Sequence, residues 1–170
     1  ERIAHAALLH DVGKLAVPHA ILHKPGPLDP DEWAVMSEHP IAGERILLRI
    51  PDLAVIAPIV RHEHEHWDGS GYPDHLRGRN IPIGSRIILA VDAYEAMITP
   101  RPYRPAMTRT QAIAELRAGA GVTFDPEVIE ARLDRLGVDR PQVPDRSAGV
   151  RLAARVPKLE GRKRGRRAPG

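Results

Sequence analysis

Histidines and carboxylates recur at wide intervals along this chain, each in or beside a stretch with helical spacing. His10-Asp11 ends one such stretch, His39 opens another, His62-Glu63-His64-Glu65 closes a third, and Asp92 interrupts the apolar run Ile87-Ile88-Leu89-Ala90-Val91. Buried polar groups of this kind are costly unless hydrogen-bonded, paired or bound to a cation. Ligand-type side chains delivered by successive helices can converge on one point inside a bundle. There is no internal repeat and no strand alternation to suggest a sheet. The pattern therefore points to an all-α bundle around a polar centre, of the kind that can hold two divalent metals and hydrolyse a phosphodiester.

Composition narrows the chemistry. The chain has 170 residues and no cysteine, which excludes disulfides and thiolate metal sites. Any metal must be held by nitrogen and oxygen, which favours Fe, Mn, Zn or Ni over thiophilic ions. Only six residues are aromatic, so the core must be mainly aliphatic. No apolar run approaches the roughly 18 residues of a membrane span, and no signal peptide is visible, so a cytoplasmic location is expected. The net charge of +3 conceals an asymmetry. Residues 151–170 carry eight Lys/Arg and one acid, a balance of +7 that leaves the rest near −4. This tail is expected to be disordered and solvated rather than a nucleic-acid contact. Residues 138–150 are expected to be a Pro-containing linker, and residues 1–137 the folded domain.

Helix punctuation is strong in places. Residues 1–12 have helical spacing that Gly13 should stop. Asp29-Pro30-Asp31-Glu32 predicts an N-cap, a proline in the first turn and a capping box. A break is expected at His39-Pro40, followed by an amphipathic stretch over 41–48. Pro51-Asp52 should start a helix reaching about His66. Residues 67–85, rich in Gly and Pro, should form a long ordered loop, which in a compact domain is usually functional. Residues 86–98 should be a helix with Asp92 buried in its middle. Thr108-Arg109-Thr110-Gln111 predicts a second capping box and a helix to about Ala118, and Asp125-Pro126 starts the last helix.

Several residues then stand out as candidates. His10 and Asp11 offer two ligands of different reach, and a carboxylate can bridge two cations. The string His62-Glu63-His64-Glu65-His66 also satisfies H-E-x-x-H, the zinc-protease helix motif. That reading needs a continuing helix, yet Trp67-Asp68-Gly69 ends it, and it leaves His10, Asp11 and Asp92 without a purpose. The competing assignment takes His64 and Glu63 as ligands, with His62, Glu65 and His66 as neighbours. Arg101-Pro102-Tyr103-Arg104 sets two guanidiniums beside an aromatic, which suits phosphate contact and base stacking. Tyr72 could likewise stack or donate to a phosphate.

Together these strings resemble the HD-GYP domain, a subgroup of the HD metal-dependent phosphohydrolases of bacterial signalling. The similarity is carried by His10-Asp11-Val12-Gly13-Lys14, Ile21-Leu22-His23-Lys24-Pro25-Gly26-Pro27-Leu28, His39-Pro40-Ile41-Ala42-Gly43, and His64-Glu65-His66-Trp67-Asp68-Gly69-Ser70-Gly71-Tyr72-Pro73. Asp92-Ala93-Tyr94-Glu95-Ala96-Met97, Arg101-Pro102-Tyr103-Arg104 and Gly121-Val122-Thr123-Phe124-Asp125-Pro126 continue it. The resemblance implies an HD-domain-like helical bundle that hydrolyses cyclic di-GMP to pGpG or GMP. It also implies a centre of two or three divalent metals, Fe or Mn ahead of Zn. Family ligand positions fall on His10, Asp11, His39, His64 and Asp92. Lys14 looks like the contact to the scissile phosphate, with Asp11 and Lys14 as the catalytic pair. Tyr72, Arg101 and Arg104 look like substrate contacts, and the Gly-Tyr-Pro loop like a surface for other signalling proteins. The chain departs from the family at Glu63, where a histidine is usual, although a carboxylate can still bind a hard metal. An upstream helix bearing another histidine ligand is expected to be missing, and His5 lies too close to His10 to replace it. Two alternatives stand beside the phosphodiesterase: a non-catalytic module that binds cyclic di-GMP or docks a protein, and an HD phosphohydrolase for another nucleotide.

Overall fold

Three of the eight α-helices among the described residues begin where a side chain takes up the first free backbone N–H groups. The computed structural model describes residues 1–100 and 105–138. Asp29 accepts from the Asp31 and Glu32 amides at 3.0 and 2.9 Å, and Glu32 accepts from the Asp29 amide at 2.9 Å, opening α3 (Pro30–Met36). Thr108 and Gln111 form the same reciprocal box at α7 (Arg109–Ala118). Asp125 accepts from the Glu127 amide at 2.8 Å to start α8 (Pro126–Arg135). All three starts follow the cap signals in the sequence.

The other elements are α1 (Arg2–Leu9), α2 (His19–Leu22), α4 (His39–Leu47), α5 (Ala57–Arg61) and α6 (Ile83–Ile98). Among the described residues there is no strand, only an isolated bridge between Ala120 and Phe124. No helix is long and apolar enough to cross a membrane, among the same residues.

Two apolar clusters hold these helices together, and α6 serves both. Ala6, Leu47, Ile56, Ala57, Val60 and Ile88 form the first. Ala90, Tyr94, Ala112, Ile113, Leu116, Phe124, Ile129 and Leu133 form the second. Both are mainly aliphatic, as the scarcity of aromatics requires. A buried ion pair joins the second cluster to the loop ahead of α6: Arg86 Nη1 donates to Asp125 Oδ2 at 2.6 Å and Arg86 Nε to the Ile81 carbonyl at 2.9 Å.

Three expectations are corrected. The first helix does not stop at Gly13. It ends at Leu9 and tightens into a 3-10 turn over His10–Ala16. Gly13 instead permits a close approach, since a Cβ there would lie 1.9 Å from the His39 carbonyl oxygen and 2.5 Å from the Gly43 amide. The missing side chain lets the 3-10 turn lie directly on the start of α4. The helix expected to reach His66 ends at Arg61, after a 3-10 turn over Ala54–Ile56. Finally, Asp92 is not buried, its side chain being 54% exposed. It lies one turn beyond Ile88 on the same helix face. The first cluster covers that face at Ile88, and α6 then turns its burial to Ala90 and Tyr94 in the second cluster.

Candidate metal centre

Close contact between the 3-10 turn and α4 brings together side chains far apart in sequence. Asp11 Oδ1 lies 3.9 Å from His39 Nε2, and Asp11 Oδ2 lies 3.7 Å from His10 Nε2. Its two oxygens therefore face two different histidines. On one side, His39 Nε2, His64 Nε2 and Glu63 Oε1 form a triangle with edges of 3.2, 3.6 and 3.7 Å. On the other, His10 Nε2 lies 4.0 Å from Asp92 Oδ1. The centre thus has two halves, His39/Glu63/His64 and His10/Asp92, joined by Asp11.

Backbone carbonyls settle which imidazole nitrogens carry hydrogen. A carbonyl only accepts, so His39 Nδ1 donates to Met36 O at 2.8 Å and His10 Nδ1 to Ala7 O at 2.7 Å. Each then presents the lone pair of Nε2 to the centre, the arrangement typical of metal-bound histidine. His64 Nε2 faces His39 Nε2 at 3.2 Å, a separation that needs a proton or cation between the two nitrogens. Burial lowers the His64 pKa to about 4, with the His39 and Lys14 charges adding to the effect. His64 is therefore a neutral donor at physiological pH.

Glu63 is the strongest sign that a cation belongs here. Its side chain is 1% exposed, and neither carboxylate oxygen has a hydrogen-bond partner. Burial raises its pKa, against the opposing pull of the His39 imidazole 3.6 Å away and of the His10 charge. An ionised carboxylate this deep requires a counter-charge. His39, Glu63 and His64 each offer an atom within 4.8 Å of the others, a spacing that fits one divalent ion. Nitrogen and carboxylate donors without sulfur suit a hard or borderline metal.

Asp11 behaves differently. Burial pushes its carboxyl up, but the Lys14 hydrogen bond and the charges of Lys14, His10 and His39 outweigh this, and the net shift is downward. Lys14 Nζ sits 2.6 Å from Asp11 Oδ1 and is itself 35% exposed, so its charge lies at the mouth of the centre.

The Gly-Tyr-Pro loop closes over the buried half. A Cβ on Gly71 would lie 2.2 Å from the His66 amide and 2.4 Å from the His64 carbonyl, so only glycine allows the loop this close. The Tyr72 amide donates to the His64 carbonyl at 3.2 Å, and the rings stack with centroids 5.0 Å apart at 17°. Burial pushes the Tyr72 phenol up to about 12, with the Glu63 and Asp11 charges adding, so it stays protonated and able to donate.

The remaining residues of the His/Glu cluster hold this loop. Buried Glu65 accepts from the Asp74 and Leu76 amides at 2.7 and 3.1 Å. His62 Nε2 lies 2.9 Å from Asp74 Oδ2, and His66 Nδ1 lies 3.0 Å from Ser70 Oγ. With α5 ended at Arg61, His62 and His66 do not share a helix face as H-E-x-x-H would require. Arg101 and Arg104 lie outside the described residues, as do the linker from residue 139 and the basic tail.

Two features are not evident from the sequence. Arg61 donates from Nε and Nη2 to both Asp74 oxygens at 2.6 and 2.8 Å, and from Nη1 to Glu44 at 2.6 Å, which clamps the loop to α5 and α4. The only sequence signal is an acid just after Tyr72-Pro73, and it names no partner. Trp33, on the helix that Asp29 caps, is 50% exposed and meets Tyr72 edge-on at 5.7 Å. With so few aromatics in the chain, a tryptophan outside the core is the available hint.

Comparison with known proteins identifies the family. Residues 1–128 match the HD domain family. A 3'3'-cGAMP-specific phosphodiesterase 2 of Vibrio cholerae is 42% identical over 150 residues, covering 85% of this chain and 29% of that protein. A cyclic di-GMP phosphodiesterase of Thermotoga maritima is 44% identical over 133 residues, covering 77% of this chain and 36% of that one. The chain thus spans about a third of the length of these curated relatives. The crystal structure of a cyclic GMP-AMP specific phosphodiesterase of V. cholerae superposes with a TM-score of 0.62 at 18% identity, over 80% of this chain and 38% of that one. The chain belongs to the HD domain family, whose members bind divalent metals, and its Gly71-Tyr72-Pro73 loop sets it in the HD-GYP group of that family.

Proposed function

We propose that this chain is the hydrolytic domain of a metal-dependent phosphodiesterase acting on a cyclic dinucleotide, cyclic di-GMP first. The observation that carries the reading is the joined centre: Asp11 turned to His10 and His39 at once, beside a buried Glu63 carboxylate that has no hydrogen-bond partner. Relatives named for cyclic di-GMP and for 3'3'-cGAMP support this substrate class. His39, Glu63, His64 and Asp11 would hold one divalent ion, and His10, Asp92 and Asp11 a second, with Fe or Mn favoured by the donor set. Ions held there would lower the pKa of water and offset charge on the phosphodiester.

The protein's own groups supply the rest. Asp11 stays ionised at neutral pH, so it would bind a cation in each half and can accept a hydrogen bond that orients attacking water. Lys14, at the mouth, offsets charge gathering on the phosphoryl oxygens. Tyr72 remains a phenol and donates to a phosphate oxygen, its ring held by the stack on His64. Arg101 and Arg104 enter as substrate contacts through the family resemblance. The folded domain covers residues 1–137, with the linker and basic tail beyond it.

The test is product analysis. Purified protein loaded with Mn or Fe is given cyclic di-GMP, and the products are separated by chromatography. The expected products are pGpG or GMP, abolished by chelator and by the His10→Ala/Asp11→Ala double substitution. Equal turnover by that variant would sink the assignment of the site. Glu63, at a position where the family usually has histidine, favours a second reading, a binding module without turnover. Calorimetric binding of cyclic di-GMP that stays intact after long incubation with metal would establish it.

A further inference from the structure

Past His64 the centre opens into a cleft of about 770 Å³, within the roughly 300–1,000 Å³ of small-molecule sites. Its walls come from two distant stretches. The end of α3 and the start of α4 supply Trp33, Ser37, Glu38 and Ile41, and the loop supplies Tyr72 and Pro73. His64 belongs to both the cleft and the metal triangle. Neither lysine nor arginine is among the described residues lining the cleft, whereas Lys14 stands at the centre. Charge is therefore sorted: a phosphate is drawn to Lys14 at the centre, where Tyr72 can donate to it from the cleft's rim, rather than deep into the cleft.

A flat, uncharged group suits the cleft better. The Trp33 ring is half exposed, and its edge contact with Tyr72, at 77° between planes, sets its orientation. Nucleobases stack on such rings whatever their identity, so stacking alone selects none of them. Selection requires a polar group, and the lining offers one carboxylate. Glu38 is the exposed N-cap residue of α4, and its side chain makes no capping hydrogen bond to its own helix. An ionised carboxylate accepts at two oxygens and donates nothing. Guanine presents N1–H and the N2 amino group side by side on its Watson–Crick edge, two donors for two oxygens. Adenine presents one amino donor beside the N1 lone pair, which a carboxylate repels.

We propose that the cleft between α3 and the Gly71-Tyr72-Pro73 loop is a guanine subsite, with Trp33 as the stacking platform and Glu38 as the residue that selects guanine over adenine. The inference rests on the reading of the centre as one that cleaves a cyclic dinucleotide. The phosphodiester lies at the centre, and the attached base passes His64 into the cleft.

GMP and AMP are suitable probes because neither contains a phosphodiester to be cleaved. Titration calorimetry on the full chain with Mn should show GMP binding about 10- to 100-fold tighter than AMP, the usual discrimination of a good bidentate base contact. Glu38→Gln should bring the two affinities within about threefold, weakening GMP and strengthening AMP, since an amide can both accept and donate. Trp33→Ala should weaken both nucleotides by a similar factor and leave their ratio intact, about tenfold for the loss of one stacked base. Equal affinities in the wild type, an unchanged ratio in Glu38→Gln, or no binding of either nucleotide would overturn the subsite. Hydrolysis of cyclic di-GMP, followed separately, reports on the phosphodiesterase reading. Turnover without base discrimination removes the subsite alone, and discrimination without turnover removes the enzyme alone.

Discussion

The two halves of the metal centre use the same residue types in opposite surroundings. On one side the side chains of His39 and Glu63 are 2% and 1% exposed, and His64, at the edge of the cleft, is 26% exposed. On the other those of His10 and Asp92 are 24% and 54% exposed. A buried carboxylate without a counter-charge costs several kcal/mol, whereas water screens an exposed one. The buried half therefore depends on a cation, and the open half can exchange its partners with solvent and meet a substrate. Asp11, 45% exposed and facing both histidines, is where one regime passes into the other.

The largest effect is expected at that junction. Asp11→Asn removes the charge shared by both halves and the partner of Lys14. Metal ions contribute several kcal/mol to such reactions, so hydrolysis of cyclic di-GMP should fall on the order of 10³-fold at 1.36 kcal/mol per decade. A rate within tenfold of wild type, with metal content unchanged, would break the two-half description. Glu63→Gln comes next, with a loss on the order of 10²-fold for one metal-binding charge. It should also change stability with opposite sign in the two metal states. In metal-stripped protein the Glu63 pKa stands above its ordinary 4.5. Stability then falls as pH rises through that interval, because the unfolded chain ionises first. Glu63→Gln should lack this fall and be the more stable protein at pH 7 without metal, and the less stable one with it. Urea unfolding in chelator and in Mn checks both signs. Asp92→Asn, in the open half, should cost only about tenfold in rate with little change in stability, as expected of exposed charges. An Asp92 effect equal to that of Glu63 would erase the contrast between the halves.

Much of this was legible in the sequence, for reasons particular residues make clear. Asp29, Thr108 and Asp125 announced their helices because capping is local: donor and acceptor lie within three residues of each other. His10, Asp11, His39, Glu63, His64 and Asp92 could be picked out because ligand-type side chains in apolar helical stretches need a partner, and the structure brings them together. Burial and pairing were not legible. Asp92 sits in an apolar run, yet α6 changes the face it buries midway, and that depends on the distant clusters around Ile88 and Tyr94. The Arg61–Asp74 clamp spans thirteen positions with no periodicity to reveal it. Gly13 resembles a stop signal, because its contact with the His39 carbonyl exists only after α4 has folded against it.

That clamp supplies the smallest expected effect and the sharpest separation, since it touches neither half of the centre directly. Asp74 holds the loop whose Tyr72 covers His64, so Asp74→Asn should loosen the buried half's cover and leave His10, Asp11 and Asp92 alone. The Arg61 hydrogen bond, with His62 and the Arg61 charge assisting, holds the Asp74 carboxyl near pH 2, below its ordinary 3.8. Because the folded value is the lower one, the stabilisation is fully present above 3.8 and lost as pH falls through about 2. The carboxylate is 34% exposed, so solvent screening limits the deficit of Asp74→Asn at pH 7 to about 1 kcal/mol. In urea unfolding this deficit should hold steady from about pH 7 to 5, shrink to on the order of half by pH 3 and to on the order of a sixth by pH 2. The KM for cyclic di-GMP should rise about threefold with kcat and metal content little changed, as expected when a positioning contact rather than a metal ligand is lost. A drop in bound metal equal to that of Glu63→Gln would show that the loop and the buried half form a single unit, and that the boundary between the two regimes lies at the Arg61 clamp rather than at Asp11.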